Sequence, residues 1–264
     1  DKLVASINVA EKGSTTLQIV GKGVGGHSSM PPKQTAVGVL AAAITKLEEN
    51  PIPGGLAGLS LALFDTTSRE MPFTLKLLFA NRWLFGSLID AELAKNPGLN
   101  ATLRTTTAPT MLSASVKTNV LPIEAIATVN FRVHPRDTIE SIFEHVREVV
   151  GSDNIEVRPM RWDGFGLGKP ASQVSSWKSS GFKNIEGSVR NIYGDVIVVP
   201  GITVAATDSR HYERVADNAY RFTPVPLTKS QLAGFHGTNE RIGVDDFVRG
   251  VKVYIRILEL GSSQ

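Results

Sequence analysis

The sequence predicts an α/β chain: a ferredoxin-like β-α-β-β-α-β unit with a helical insertion, followed by a second α/β part. Three observations carry this. Stretches 14–23, 110–119 and 124–135 are rich in β-branched residues and alternate, as half-buried strands do. Stretches 33–50 and 138–150 space apolar residues as amphipathic helices do. A glycine-rich run, "WDGFGLGKPAS" (162–172), then separates this unit from later helix and strand signals and is the expected boundary.

In chain order, "DKLVASINVAEKG" begins inside an apparent strand, without Met and without a signal-peptide pattern, so the true N-terminus is expected elsewhere. "STTLQIVGKG" (14–23) is a strand. "KQTAVGVLAAAITKLEEN" (33–50) is a helix with Val37, Leu40, Ile44 and Leu47 on one face, ended by "PIPGG". Residues 64–108 read helical, with more Phe, Leu and Trp than one stripe needs; the surplus either packs a core or covers a substrate or partner. "TMLSASVKTN" (110–119) and "EAIATVNFRVHP" (124–135) are strands joined by a turn at Leu121–Pro122. "TIESIFEHVREVV" (138–150) is a helix with Ile142, Val146 and Val149 inward, and "NIEVRPM" (154–160) closes the unit. Past the boundary come a helix near 172–181, an apolar strand at 195–205, a loop "TDSRHYERV" and a final helix at 244–260.

Composition removes several classes. The chain has 264 residues, 42% of them hydrophobic, enough to bury a proper core. Its net charge is +3 and its Lys and Arg are dispersed, which argues against a nucleic-acid stripe or a polybasic membrane patch. With no cysteine there are neither disulfides nor thiolate metal sites, and the compartment stays open. No apolar run approaches the roughly eighteen residues of a membrane span, so a soluble protein is expected.

Four stretches could carry chemistry. "GVGGHSSMPP" (23–32) sets His27 at a strand-to-helix junction, where glycines free the backbone and two prolines suit a first helical turn. Either Ser28 or Ser29 caps a helix there, or the imidazole is displayed for chemistry. "GFHGTNERI" (234–242) gives His236 similar freedom, suited to a metal ligand, although surface histidines look the same. "TDSRHY" (207–212) gathers Asp208 and Arg210 after a buried strand, either as a surface ion pair or as a fork for a carboxylate. Asn119 and Arg132, thirteen apart on neighbouring strands, could face one way and hold a carboxylate or amide; an ordinary hairpin would also show them. His134 and His145 read as structural.

Taken in order, "AEKG", "GVGGHSSMPP", "TNVLPIEAIATVNFRVHP", "PGITVAATDSRHY", "YRFTPVPL" and "FHGTNERIG" resemble the M20 family of zinc peptidases. The resemblance is to the branch of Gly-X carboxypeptidase (carboxypeptidase S) and the N-acyl amino acid hydrolases. It covers almost the whole chain, and 64–108 look like that branch's enlargement of the lid. It implies that 10–160 are a lid used for dimerisation. Residues 161–264, with 1–9 as their preceding edge, would be the second part of a catalytic domain whose first part is absent. That family binds two zinc ions. The H-x-D motif, the bridging aspartate, the Glu-Glu pair with the general base and the further carboxylate ligand that the resemblance implies would belong to that absent first part, so His236 alone maps as a metal ligand. The resemblance implies His27 as oxyanion stabiliser for the partner subunit, Asn119 and Arg132 as substrate holders, Arg210 as the grip on a free carboxylate and Asp208 as its orienter. The activity implied is zinc-dependent hydrolysis of an amide bond next to a free carboxylate, in short peptides or N-acyl amino acids. This chain would be a fragment, inactive without the missing N-terminal half. The alternatives are an aminoacylase or deacetylase of the same family, or a non-catalytic dimerisation module.

Overall fold

The computed structural model describes residues 2–161 and 166–262. Its largest sheet is built from β2 (Ser14–Lys22), β4 (Thr106–Ser113), β6 (Glu124–Arg132) and β7 (Ile155–Pro159), in the antiparallel order β4-β6-β2-β7. That is the ferredoxin-like order. The short β8 (Gly168–Lys169) adds to β2 at Ser14 and Thr15. Strand β6 shows why the sheet forms: Ala125, Ala127, Val129 and Phe131 point inward while their neighbours do not, the period of two that one covered face demands.

Helices α1 (Ala36–Glu49) and α6 (Ile139–Val150) cover the inner face and share one core with Leu17, Ile19 and Phe131. Thr138 and Ser141 form a reciprocal capping box at the start of α6, typically worth about 1 kcal/mol. Helix α1 turns a stripe of Ala36, Leu40, Ala43 and Leu47 inward. Val37, expected on that face, is exposed, because a stripe through Ala36 and Leu40 carries position 37 outward. Its first turn lies so close to β2 that a Cβ on Gly21 would meet the Ala36 carbonyl at 2.7 Å. Beyond Val146 and Ile142, the buried residue of the last turn of α6 is Val150; Val149 packs at the margin.

Strand β1 (Leu3–Glu11) is separate from this sheet. It pairs in parallel with β9 (Val196–Thr203), from Leu3 beside Val196 to Glu11 beside Thr203. Helices α7 (Ser180–Tyr193) and α9 (Val244–Ser262) pack there around Ile7, Phe182, Val198 and Val253. The helix expected near 172–181 is irregular until Ser179 caps α7, so that helix starts eight residues later than read. The insertion is four helices, α2 (Gly58–Ser68), α3 (Phe73–Ala80), α4 (Arg82–Ala94) and α5 (Pro97–Leu103), with their own core of Phe64, Phe79, Ile89 and Leu103. The strand read at 110–119 begins at Thr106 and ends at Ser113. Two-residue strands β3 (Gly26–His27) and β5 (Val120–Leu121) instead form a separate ribbon. Part of the glycine-rich boundary, 162–165, lies outside the described residues. None of the described helices is long and apolar enough to cross a membrane.

Candidate functional site

The β3–β5 ribbon brings two of the sequence-predicted residues together. His27 pairs with Val120, and the backbone N–H of Ser28 donates to the Asn119 carbonyl at 3.1 Å. Both loops project past the Lys22–Glu124 end of the sheet, and His27 and Asn119 are exposed. The imidazole is oriented locally. Ser29 N–H donates to His27 Nδ1 at 3.2 Å, and the Ser29 hydroxyl lies 2.8 Å from the same nitrogen. A backbone N–H can only donate, so Nδ1 is the acceptor and the neutral ring carries its proton on Nε2. The tip therefore presents an N–H donor outward. Ser29 orients His27, and the cap of α1 is Thr35, whose hydroxyl accepts from Gly38 N–H. The helix-capping role weighed for Ser28 and Ser29 falls to that residue.

Arg132 lies elsewhere. It ends β6 beside Thr106, at the opposite end of the strand from Asn119. Eight residues at about 3.3 Å each separate Glu124 from Arg132, roughly 26 Å. Within the chain, Asn119 and Arg132 therefore lie toward opposite ends of β6, with the length of that strand between them.

Asp208 and Arg210 sit on a 3-10 turn, Asp208–Arg214, that follows β9. They form no ion pair with each other among the described residues. Asp208 is exposed, while Arg210 is half-buried and its Nε is buried without a hydrogen-bond partner. What holds the turn is a residue to which the sequence assigned no role. Glu11, 3% exposed at the end of β1, accepts on one oxygen from Thr207 N–H at 3.0 Å, Thr207 Oγ1 at 2.5 Å and Ser209 Oγ at 3.3 Å. Arg221 pairs with that same oxygen at 3.3 Å and with Glu213 at 2.9 Å. Both ends of the turn are so tied to one buried ion cluster. The only sequence signal was the "AEKG" string, and its meaning depends on the distant pairing of β1 with β9.

Lys12, the next residue, is also buried, and its Nζ donates to the carbonyls of Ala101 and Arg104 at 2.9 Å each. Burial lowers its pKa to about 8. His134 is buried as well; burial, with Arg136 and Lys12 nearby, lowers it to about 4. Its Nδ1 accepts from Arg136 Nε at 3.1 Å, as only a neutral ring can. His145 bridges two helices through Asn50 O at 3.0 Å. Both histidines are structural.

His236 is exposed, with a left-handed backbone (φ 58°), and its N–H donates to Glu240 Oε2 at 3.3 Å. Among the described residues no three His, Cys, Asp or Glu side chains converge as a metal site. The residues present therefore do not make a zinc centre by themselves, and His236 could contribute one ligand of the four or so such a centre needs. A groove of about 870 Å³ runs along β1, lined by Val4, Tyr193, Phe222, Pro224, Thr207 and Arg221 among others; none of the six sequence-predicted site residues lines it.

Comparison with known proteins identifies the family. The model of a peptidase dimerisation domain, M20_dimer, matches residues 9–158. "Probable carboxypeptidase S-like 2" of Dictyostelium discoideum is 39% identical over 258 residues, 98% of this chain and 49% of that protein. "N-fatty-acyl-amino acid synthase/hydrolase PM20D1" of Mus musculus is 35% identical over 261 residues, again 98% of this chain and 51% of that protein. The chain thus spans about half the length of the curated relatives it matches. Among solved structures, an M20 family metallo-carboxypeptidase, Sso-CP2 from Sulfolobus solfataricus, superposes with a TM-score of 0.59 at 19% identity, over 98% of this chain and 62% of that one. The dipeptidase Dug1p from Saccharomyces cerevisiae gives 0.58 at 14%, over 100% and 58%. By its fold, its ordered motifs and this match, the chain belongs to the M20 family of peptidases and amidohydrolases.

Proposed function

We propose that the protein to which this chain belongs hydrolyses an amide bond adjacent to a free carboxylate, in N-acyl amino acids or short peptides. Zinc would be bound mainly by residues outside 1–264, with His236 as one ligand. Residues 10–160 act as the lid and 161–264, with 1–9, as part of the catalytic domain. The observation that carries this reading is the ribbon that holds His27 and Asn119 side by side at an exposed tip, with the imidazole N–H facing out. A preorganised donor of that kind stabilises the oxyanion that forms when an amide carbonyl is attacked.

The length of β6 from Glu124, at the tip's end of the sheet, to Arg132, roughly 26 Å, exceeds the span of one small substrate. We therefore assign the tip to a neighbouring subunit's site, and Arg132 and Arg210 to the site of their own chain, where the guanidinium fork suits a carboxylate. Pairing of two lids would use the open edge of β4, where Met111 and Leu112 are 66% and 69% exposed. Relatives named as carboxypeptidases and as N-fatty-acyl-amino acid hydrolases support the substrate class.

The test is to express the full-length protein and follow amine release from an N-acyl amino acid, its carboxamide and a dipeptide. The expected result is release from the free acids, loss on chelation, recovery with zinc, and weak turnover of the carboxamide. A dimer that holds no zinc and hydrolyses none of the three would establish the dimerisation-module reading instead. Hydrolysis of acetylated amines that lack a carboxylate would establish the deacetylase reading.

A further inference from the structure

We propose that Glu11 is a positioning residue for substrate carboxylate: by pinning Thr207 and Ser209 on either side of Asp208, it fixes the turn that presents Arg210. This deepens the hydrolase reading and rests on it.

The chemistry of the cluster is asymmetric. A buried carboxylate is costly unless its lone pairs are filled, and a buried ion pair is weak support for stability alone. Here one Glu11 oxygen takes a backbone N–H, two hydroxyls and a guanidinium. Two of those four donors belong to Thr207 and a third to Ser209, at the entry to the 3-10 turn. Arg221 carries the restraint to Glu213 near the turn's other end. Arg221 is itself fixed to β1, since its backbone exchanges both hydrogen bonds with Asn8 at 3.0 and 2.9 Å. The arginine inside this clamp is the one the clamp leaves free. Arg210 has no carboxylate partner among the described residues, and its Nε is buried and unbonded. A buried unbonded guanidinium N–H is expensive, so a ligand acceptor there gains more than it would at an exposed arginine. Asp208 does not supply the orientation, because it makes no hydrogen bond or ion pair with Arg210 among the described residues; the orientation comes through the backbone of the turn.

Glu11→Gln keeps the shape and one acceptor oxygen but removes the negative charge, which weakens all four bonds, the pairing with Arg221 included. Thr207→Val removes one hydroxyl from the clamp and leaves the buried charge in place, so it serves if Glu11→Gln folds poorly. In the full-length enzyme each variant should raise KM for the free-acid substrate about tenfold or more, with a smaller change in kcat. Neither should change KM for the carboxamide, which offers Arg210 no charge. Combined with Arg210→Ala, neither should add to the loss caused by Arg210→Ala alone. Equal losses on acid and carboxamide, or additivity with Arg210→Ala, would overturn the proposal while leaving the hydrolase reading intact. A wild-type enzyme that cleaves neither substrate would overturn the hydrolase reading, and this proposal with it.

Discussion

Glu11 and Lys12 are consecutive and both buried, and they hold opposite parts of the molecule. Glu11 reaches the turn after β9, while Lys12 donates to the carbonyls at the end of α5, in the helical insertion. Alternation along an extended chain sends neighbouring side chains to opposite faces, and here those faces belong to different cores. The short link between β1 and β2 therefore anchors the insertion to the strand pair that carries Arg210's turn.

Lys12 should make stability depend on alkaline pH. Its proton leaves near pH 8 in the folded chain and near 10.5 in the unfolded one, mainly because burial disfavours the ammonium, with Asp137 partly opposing. Between those values the unfolded chain holds more protons, so stability should rise with pH, by about 3 kcal/mol if the shift is fully expressed. Tyr193, whose pKa is raised by burial, works against this at the top of the window. Urea unfolding at pH 8 and pH 10 should show a steeper rise for the wild-type chain than for Lys12→Met.

His134 should dominate the acid side. Burial, then Arg136 and Lys12, hold its pKa at about 4, below the usual 6.5. The contribution is whole above pH 6.5 and is lost as pH falls toward 4, again about 3 kcal/mol at most. His134→Asn keeps an acceptor for Arg136 and removes the titration. Its unfolding free energy should fall less between pH 6.5 and 4.5 than that of the wild type; an equal fall would show that other groups control the acid limb.

The link also tolerates no added bulk. A Cβ on Gly13 would lie 2.3 Å from the Lys169 carbonyl oxygen and 2.5 Å from the Ala171 nitrogen. Both are backbone atoms, which cannot swing aside as a side chain would, and Lys169 is held in β8 beside Ser14. Gly13→Ala should lower stability by at least about 1–3 kcal/mol, the usual cost of overpacking, with a matching drop in Tm. An unchanged Tm would mean the link shifts freely.

What the sequence revealed follows the strength of its periodicities. β6 and α6 bury one clean face each and read plainly. α7 buries Phe182 and Val189 and packs Ile185 and Ile192 against the same core. That 182/185/189/192 spacing is helical, but serines and glycines around it hid the start. β3 and β5 are too short to show a period, so the sequence hides the ribbon that joins His27, marked by its own loop, to Asn119, marked only by its spacing from Arg132. Arg132 was picked for its spacing from Asn119, which says nothing about distance along a straight strand. Glu11 could not be found at all, because its partners lie about two hundred residues away and meet it only through the parallel pairing of β1 with β9.

The β4 edge gives a direct test of dimerisation. Leu112 is 69% exposed on a strand whose outer edge is unpaired among the described residues. Leu112→Asp should leave the monomer's Tm nearly unchanged while shifting light-scattering mass from dimer to monomer, since a buried like charge on both copies is costly. A variant that stays dimeric would place the interface away from this edge.

The tip predicts shared active sites. In the full-length enzyme, His27→Ala should reduce kcat on the order of 10²–10³, the cost of losing one oxyanion donor, without loss of bound metal. A second variant keeps His27 but lacks the general base supplied by the rest of the protein. Each homodimer should be nearly dead. In a mixed dimer, the His27→Ala subunit keeps its own general base and borrows the imidazole of its partner, so one working site should return per heterodimer. The ribbon geometry is the reason: β3 and β5 lie beyond one end of the sheet, and Arg132 lies at the other end of β6. If heterodimers form and activity stays at the level of the parents, His27 serves its own subunit, and the length of β6 from Glu124 to Arg132, roughly 26 Å, must then be bridged by bending of the lid rather than by a second chain.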